Sequence, residues 1–202
     1  MTVMMLALAL GGEPPALRAS PTDAKPLAKW SATDLSGNRH TAKDWKERKA
    51  VAFLFVTTEC PVAAFYLPEF GKLAATNKDV AWHVVYVDVE TDAGAVAKHA
   101  REHGVALPTF HDPEQSLARQ LGVQTVPEAV VATMAGDVAY RGRVDDRYAT
   151  SGRRSPDATV HDLRDAVAAV TKGEKPKAAH LPGYGCPLPE APDRRAAKEK
   201  KR

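Results

Sequence analysis

Two nearly continuous apolar segments in the first half of the chain constrain the fold most. VAFLFV spans residues 51–56 and WHVVYVDV spans residues 82–89. Segments of this length that are rich in β-branched and aromatic residues are typical of strands covered on both faces. Residues 61–75 between them carry apolar side chains at near-helical spacing, and Pro68 interrupts one turn. The sequence therefore predicts a strand, a helix and a second strand within one buried sheet.

The same alternation continues along the chain. The further predicted elements are helices over 92–103, 114–121 and 159–170, a strand at 107–110, and the hairpin strands EAVVATM and VAYRGRV. Short strands that alternate with helices of about ten residues form a sheet covered by helices. We therefore predict an α/β fold with a central mixed β-sheet, helices on both faces and a small N-terminal hairpin within residues 30–45.

Length and charge narrow the class of protein. A chain of 202 residues fits one domain with tails. The last thirteen residues hold six of the 28 basic and three of the 25 acidic residues, which leaves 22 of each sign in residues 1–189. A neutral body argues against a nucleic-acid partner, which would need basic residues gathered on a folded face. We predict one domain over 27–172 and a basic tail over 173–202 that is rich in proline and glycine.

The N-terminal segment suggests export. Residues 3–10 are apolar, too few to span a bilayer, but similar to the apolar region of a secretory signal. No basic residue precedes this stretch, so a plain unstructured terminus is the alternative interpretation. We expect residues 1–20 to be a signal or a disordered segment, a periplasmic or extracellular location, and no transmembrane span.

Cys60 is placed where a cysteine becomes reactive. It follows the first buried strand and precedes the predicted helix, with Pro61 at the first helical position, where a missing N–H costs nothing. A sulfur at a helix N-terminus lies near unpaired N–H groups and the positive end of the helix dipole, which favours the thiolate. The sequence therefore indicates a nucleophilic cysteine rather than a core residue.

These features resemble the thioredoxin-like superfamily, and within it the redoxin branch that includes peroxiredoxins. The resemblance is carried by Cys60-Pro61 after a core strand, Pro68 eight residues further on, and the segment GVQTVPEAVVATMAGDV. It implies a thioredoxin-like fold over residues 27–172. It also implies that Pro127 is a cis-proline beside Cys60, and that Val126 offers its backbone to a substrate strand. Pro61, next to the sulfur, is the second candidate for substrate binding.

The departures from the family patterns bear on the reaction. The CxxC pair of thioredoxins is reduced to one cysteine, and Leu54 stands where thioredoxins bury an acid. Thr57 fills the position of the peroxiredoxin threonine, where the resemblance implies a hydrogen bond to the sulfur or to a peroxide. An ordinary strand residue is an equally good interpretation of Thr57.

Cys186, in LPGYGCPLP, is the second cysteine, and three roles remain open for it. It resolves an oxidised Cys60, or forms a permanent structural disulfide with it, or joins it in binding a soft metal such as Cu(I). The metal alternative is suggested by the copper-carrying Sco proteins, whose CxxxC motif is broken here. His180 would be its third ligand.

Arginines near the predicted hairpin form a further group of candidates. Redoxins often keep an arginine near the thiolate, so Arg141 and Arg143 are candidates for tuning its pKa. The favoured alternative is salt pairing among exposed charges, because Arg141, Arg143 and Asp145 alternate onto one face of the strand. No organic cofactor is expected, since neither GxGxxG nor a phosphate loop occurs.

Together these observations predict an extracytoplasmic thiol oxidoreductase. Cys60 is expected to attack a peroxide or a protein disulfide, Cys186 to resolve the product, and an external thiol reductant to reset the pair. The alternative is a binding module without turnover, either a copper carrier or a thioredoxin-like protein with a structural Cys60–Cys186 disulfide.

Overall fold

The computed structural model describes residue 27 and residues 30–148 and 154–190. The predicted signal segment at 1–20 and most of the basic end of the tail lie outside these residues. The strands are β1 (Ser31–Thr33), β2 (Arg39–Thr41), β3 (Ala50–Val56), β4 (Val80–Tyr86), β5 (Thr109–His111), β6 (Thr125–Val126), β7 (Glu128–Thr133), β8 (Val138–Gly142), β9 (His180–Leu181) and β10 (Cys186–Pro187). The α-helices are α1 (Pro61–Thr76), α2 (Ala93–Glu102), α3 (Ser116–Leu121) and α4 (Asp162–Thr171).

Six strands form the central sheet in the order β5-β4-β3-β7-β8-β9. β3 pairs in parallel with β4, which pairs in parallel with β5, whereas β3 pairs antiparallel with β7 and β7 antiparallel with β8. β3 is buried along its whole length, as its uninterrupted apolar sequence predicts. β1 and β2 form a separate two-stranded hairpin. The predicted α/β fold with a mixed sheet and an N-terminal hairpin is confirmed.

The helices pack their apolar side chains against this sheet. In α4 the buried residues include Leu163, Ala166, Val167 and Val170, which recur at helical spacing. The helix begins later than the sequence predicts, since the predicted helix starts at residue 159 and α4 starts at Asp162. Pro68 lies inside α1 without ending it. Within the described part of the chain, no helix combines the length and the apolar character needed to cross a membrane.

The tail beyond residue 172 differs from the irregular segment that its composition predicts. β9 pairs in parallel with the edge strand β8 and so adds a sixth strand to the sheet. β10 then pairs antiparallel with β6 in a separate two-stranded sheet. Both strands have only two residues, too few to show a periodic pattern in the sequence. The tail is thereby brought back over the end of β3.

Candidate functional site: two cysteines at the start of a helix

Cys60 lies at the junction between β3 and α1. It is the residue before the first helical position, with extended backbone angles, and Pro61 begins the helix. The backbone N–H groups of the first helical turn have no partner within the helix and face the N-terminal end, where they favour negative charge. Only 1% of Cys60 is exposed. The junction therefore holds the sulfur at a helix N-terminus in a largely enclosed position.

Cys186 lies directly against this sulfur. The two Sγ atoms are 2.7 Å apart, although the residues are 126 positions apart in the sequence, and both thiols are free. β10 achieves this by placing Cys186 opposite Val126 in the antiparallel pairing with β6. The two cysteines can therefore form a disulfide without a large backbone movement.

Burial and the neighbouring sulfur change the acidity of Cys186. Desolvation, the hydrogen bond that its S–H donates toward Cys60, and the electrostatic interaction with Cys60 together raise the pKa of Cys186 to about 11. Cys186 is therefore a protonated thiol at neutral pH. It becomes a good nucleophile only when this environment changes.

We expect the alkylation of Cys186 to follow this raised pKa. In the reduced protein, its rate of reaction with iodoacetamide should rise about tenfold per pH unit from pH 7 to pH 10 without levelling off, because only the thiolate reacts. The rate is read by mass spectrometry of the peptide that contains Cys186. In a Cys60→Ala variant two causes of the shift are removed, and the rate should level off at lower pH. A plateau below pH 9 in the wild type would contradict the prediction.

The loop before β7 supplies the other side of the site. The peptide bond between Val126 and Pro127 is cis. The Cys60 thiol donates a hydrogen bond of 3.4 Å to the carbonyl oxygen of Val126. Glu128 accepts from the backbone N–H groups of Gln124 (2.8 Å) and Thr125 (3.4 Å). The Glu128 carboxylate therefore fixes the short strand β6 on which the tail docks.

A buried ion pair supports Glu128. The Nε atom of Arg141 lies 3.3 Å from a Glu128 oxygen, and the two residues are 0% and 2% exposed. Burial raises the pKa of Glu128, while the backbone N–H of Gln124 and the positive charge of Arg141 act in the opposite direction. The interpretation of Arg141 as one of a group of exposed charges is therefore wrong.

The charged residues that follow β8 are also paired. Arg143 donates to Asp162 at 2.6 Å, and its side chain is 22% exposed. Asp145, only 3% exposed, accepts from the Tyr66 hydroxyl and pairs with Arg147. Both predicted candidates for tuning the thiol, Arg141 and Arg143, are thus engaged with carboxylates. Their effect on Cys60 stays a prediction.

A cleft with a volume of about 490 Å³ opens beside the two cysteines. It is lined by Thr57, Glu59, Cys60, Asp88, Val89, Glu90, Thr91, Cys186, Pro187, Pro189 and Glu190. Four of these residues are acidic, so the cleft favours neutral or cationic ligands over anionic ones. Of the lining residues, Thr57 is buried and Glu59 is exposed. The predicted residues Thr57, Cys60 and Cys186 thus share one cleft.

Two carboxylates of this region, Asp88 and Glu128, were not predicted from the sequence as residues of the site. Asp88 is 5% exposed and accepts from the backbone N–H (2.9 Å) and hydroxyl (2.5 Å) of Thr58, two residues before Cys60. Its other oxygen has no hydrogen-bond partner within the described residues. The available signals were an acid inside the apolar segment 82–89 for Asp88 and an acid that opens the apolar strand EAVVATM for Glu128. An acid buried in such a segment needs hydrogen-bond or ionic partners.

The proposed third metal ligand has a different partner. His180 lies in β9, and its Nδ1 donates to the carbonyl oxygen of Arg141 at 3.0 Å. In the residues that the structure covers, no three His, Cys, Asp or Glu side chains are grouped so that they could hold a metal ion. The observed site therefore consists of a thiol pair, a strand edge and an acidic cleft.

Comparisons with known proteins agree with this architecture. Among solved structures, the chain is similar to a hypothetical protein from Sinorhizobium meliloti (24% identity, TM-score 0.69, covering 84% of this chain and 95% of that one). It is also similar to an uncharacterized conserved protein from Geobacillus kaustophilus (22% identity, TM-score 0.72, covering 84% of this chain and 93% of that one). A third similar structure is a secreted Mycobacterium tuberculosis disulfide oxidoreductase homologous to E. coli DsbE (17% identity, TM-score 0.50, covering 72% of this chain and 96% of that one).

At these identities the structural matches show the fold alone, which is the thioredoxin-like fold that the sequence motifs predict. No curated protein matches the sequence significantly. The family model described as Redoxin matches residues 20–158, more than half of the chain. The resemblance inferred from the motifs around Cys60 and Pro127 is confirmed, and the chain belongs to the Redoxin family.

Proposed function

We propose that this protein is a thiol–disulfide oxidoreductase in which Cys60 is the nucleophile and Cys186 the resolving cysteine. The observation that carries the proposal is the 2.7 Å approach of the two sulfurs at the N-terminus of α1. A purely structural crosslink does not need a helix N-terminus, a neighbouring cleft or an exposed partner thiol. Cys186 is partly exposed and lines the cleft, so the thiol pair lies next to a surface that a substrate can approach.

The reaction follows from the positions of the two thiols. The Cys60 thiolate attacks one sulfur of a client disulfide, a Cys60–client bond forms, and the second client sulfur leaves with the electron pair and takes up a proton. Cys186 then loses its proton and attacks the Cys60 sulfur. The Cys60–Cys186 disulfide forms and the first client sulfur leaves as a thiolate. The client gains two electrons from the cysteine pair, and an external dithiol reductant later supplies two electrons that reduce the Cys60–Cys186 disulfide while the dithiol is itself oxidised.

A disulfide substrate is favoured over a peroxide by what lies next to Cys60. The carbonyl of Val126 and the strand β6 face the sulfur, and a polypeptide strand already occupies that place. This backbone surface suits a peptide better than a small oxidant. Thr57, which lines the cleft, is then a residue that shapes the pocket around the client sulfur.

We also propose that the protein acts outside the cytoplasm. The apolar segment at residues 3–10 and the presence of two cysteines able to pair support this location. One structural neighbour, the Mycobacterium tuberculosis disulfide oxidoreductase, is itself described as secreted. The client would then be an exported protein with a disulfide, and the reductant an extracytoplasmic dithiol.

The test is to trap the mixed disulfide. A Cys186→Ser variant should complete the first step and stop, because no second thiol releases the client. Incubation with a neutral peptide disulfide should therefore give a covalent adduct at Cys60, detected by mass spectrometry and removed by dithiothreitol. Cys60→Ser is the matched control, and wild type should turn over without accumulating adduct. An adduct on Cys186 in the Cys60→Ser variant, with none on Cys60 in Cys186→Ser, would reverse the assigned roles.

A further inference from the structure

The chain's own tail lies where a substrate strand would bind. Cys186 is opposite Val126 and Pro187 opposite Thr125, and the pairing continues with the hydrogen bond from the Leu188 N–H to the Gln124 carbonyl at 3.0 Å. The tail thus presents a cysteine to Cys60 while its backbone is held by β6.

The residue before Cys186 has no room for a side chain. A Cβ atom on Gly185 would lie 2.1 Å from the Val126 carbonyl oxygen and 2.8 Å from the carbonyl carbon. These are backbone atoms of β6, whose neighbouring N–H groups are fixed by Glu128, so they cannot move aside as a flexible side chain would. Any residue with a Cβ atom at position 185 would push the tail strand β10 away from Val126.

The glycine two positions earlier gives a contrast. A Cβ atom on Gly183 would lie 3.4 Å from the Arg143 Cβ and 3.5 Å from the Pro127 carbonyl oxygen, which are ordinary contact distances. The steric restriction therefore applies to Gly185 and not to Gly183. The docked tail therefore shows which side chains the site tolerates at each of these two positions of a bound strand.

We propose that the strand site beside Cys60 selects client segments with glycine immediately before the reacting cysteine, and that residues 183–189 occupy this site as an intramolecular substrate. The inference rests on the proposed function and names its substrate class. A client binds in an extended conformation, antiparallel to β6, with its cysteine opposite Val126. The clash at Val126 sets the preference for glycine.

The tethered tail also competes with clients. β9 fixes residues 180–181 to the sheet edge, only five residues before Cys186. A strand on so short a connection has an effective concentration in the millimolar range. Gln115 holds the far end by donating to the Pro189 carbonyl at 2.6 Å. A client therefore reaches Cys60 only after the tail has left.

The test uses peptides carrying an activated disulfide. The peptide PGYGCPLP copies residues 182–189, and PGYACPLP and PAYGCPLP replace one glycine each. Each peptide cysteine is joined to a 2-thiopyridyl group. The Cys60 thiolate attacks the peptide sulfur, a Cys60–peptide disulfide forms, and thiopyridone leaves with the electron pair and a proton, which is measured by its absorbance. The neutral reagent dithiodipyridine measures the intrinsic reactivity of Cys60.

Three full-length variants provide the comparison. In Cys186→Ser the tail remains docked but cannot resolve. In Cys186→Ser with Gly185→Ala the tail is displaced by the clash at Val126. In Cys186→Ser with Gly183→Ala, the matched control, the tail stays docked. We expect capture of PGYGCPLP to be at least tenfold faster in the Gly185→Ala background than in the other two.

In the Gly185→Ala background the peptides themselves should differ. PGYGCPLP and PAYGCPLP should be captured at similar rates, and PGYACPLP at least tenfold more slowly, after division by the rate with dithiodipyridine. Equal rates for the glycine and alanine peptides, or equal rates in all three variants, would overturn this inference while leaving the proposed function intact. A Cys60 that does not react even with dithiodipyridine would overturn both.

Discussion

Oxidation of the two cysteines is expected to raise the free energy of unfolding by about 5 kcal/mol. A bond between Cys60 and Cys186 closes a loop of 126 positions. In the chain-entropy model such a loop restricts the unfolded chain by about this amount at 25 °C. The measurement is urea unfolding of the oxidised protein, with the disulfide kept intact, and of the fully reduced protein.

The control for this prediction is Cys186→Ser under the same two redox conditions. It cannot form the bond, so its two unfolding curves should coincide. If the wild-type curves also coincide, the two sulfurs do not form an intramolecular disulfide, and the resolving role of Cys186 is wrong. A large difference in the wild type combined with coincident control curves assigns the stabilisation to this one crosslink.

The same loop bears on whether the bond is structural or catalytic. A disulfide that stabilises the folded state is itself stabilised by folding to the same extent, so it becomes harder to reduce. Structural disulfides of secreted proteins typically have reduction potentials below about −300 mV, whereas catalytic ones lie higher. Equilibration of this protein with a glutathione or dithiothreitol buffer separates the two roles. The proposed function requires a value above that limit.

The position of Cys60 could be predicted from the sequence because all its determinants are local. β3 is an unbroken apolar segment, Pro61 fits the first turn of α1, and the cysteine stands between them. Strand, turn and helix signals of this kind lie within a few residues of one another. The thiol at a helix N-terminus therefore follows from residues 51–75 without knowledge of the rest of the chain.

The partner of Cys60 could not be placed in the same way. Cys186 reaches it through two-residue strands, β9 and β10, that carry no periodic signal in a segment rich in proline and glycine. Their position depends on free edges created elsewhere, at β8 and β6. The sequence leaves three roles open for Cys186, and only the long-range pairing brings the two thiols into one site.

The burial of the charged residues between positions 141 and 145 could not be predicted from the sequence either. Alternation along the strand predicted from the sequence places Arg141, Arg143 and Asp145 on one face. Charged residues are usually exposed, so the sequence favours a solvent-facing position for this face, which is wrong for Arg141 and Asp145. Burial depends on the partner carboxylates Glu128 and Asp162, which lie on other elements. A pattern within one strand does not show these partners.

The consequence of that burial is a strong expected effect at Arg141. An Arg141→Met variant should lose about 3 to 5 kcal/mol of unfolding free energy at pH 8, because Glu128 is left as a buried charge without its cationic partner. Arg143→Met is the matched control. Its side chain is 22% exposed, and its partner Asp162 lies nearer the surface, so its loss should be clearly smaller.

The loss at Arg141 should also depend on pH in a defined direction. Burial raises the pKa of Glu128, and removing the arginine raises it further. The folded variant then binds a proton more tightly than the unfolded chain, so its stability is greatest below the unfolded pKa of about 4.3 and falls as pH rises through the folded pKa. Urea unfolding of Arg141→Met should therefore show a smaller deficit at pH 5 than at pH 8.

A second substitution separates charge from packing. In Glu128→Gln with Arg141→Met, the carboxylate is replaced by an amide whose oxygen can still accept from the N–H groups of Gln124 and Thr125. This double variant should recover part of the stability at pH 8 and lose the added pH dependence. A deficit in Arg141→Met that is equal at both pH values and is not relieved by Glu128→Gln would mean that Arg141 acts through packing alone. The ion pair would then not be what holds β6, and with it the docking strand for Cys186, in place.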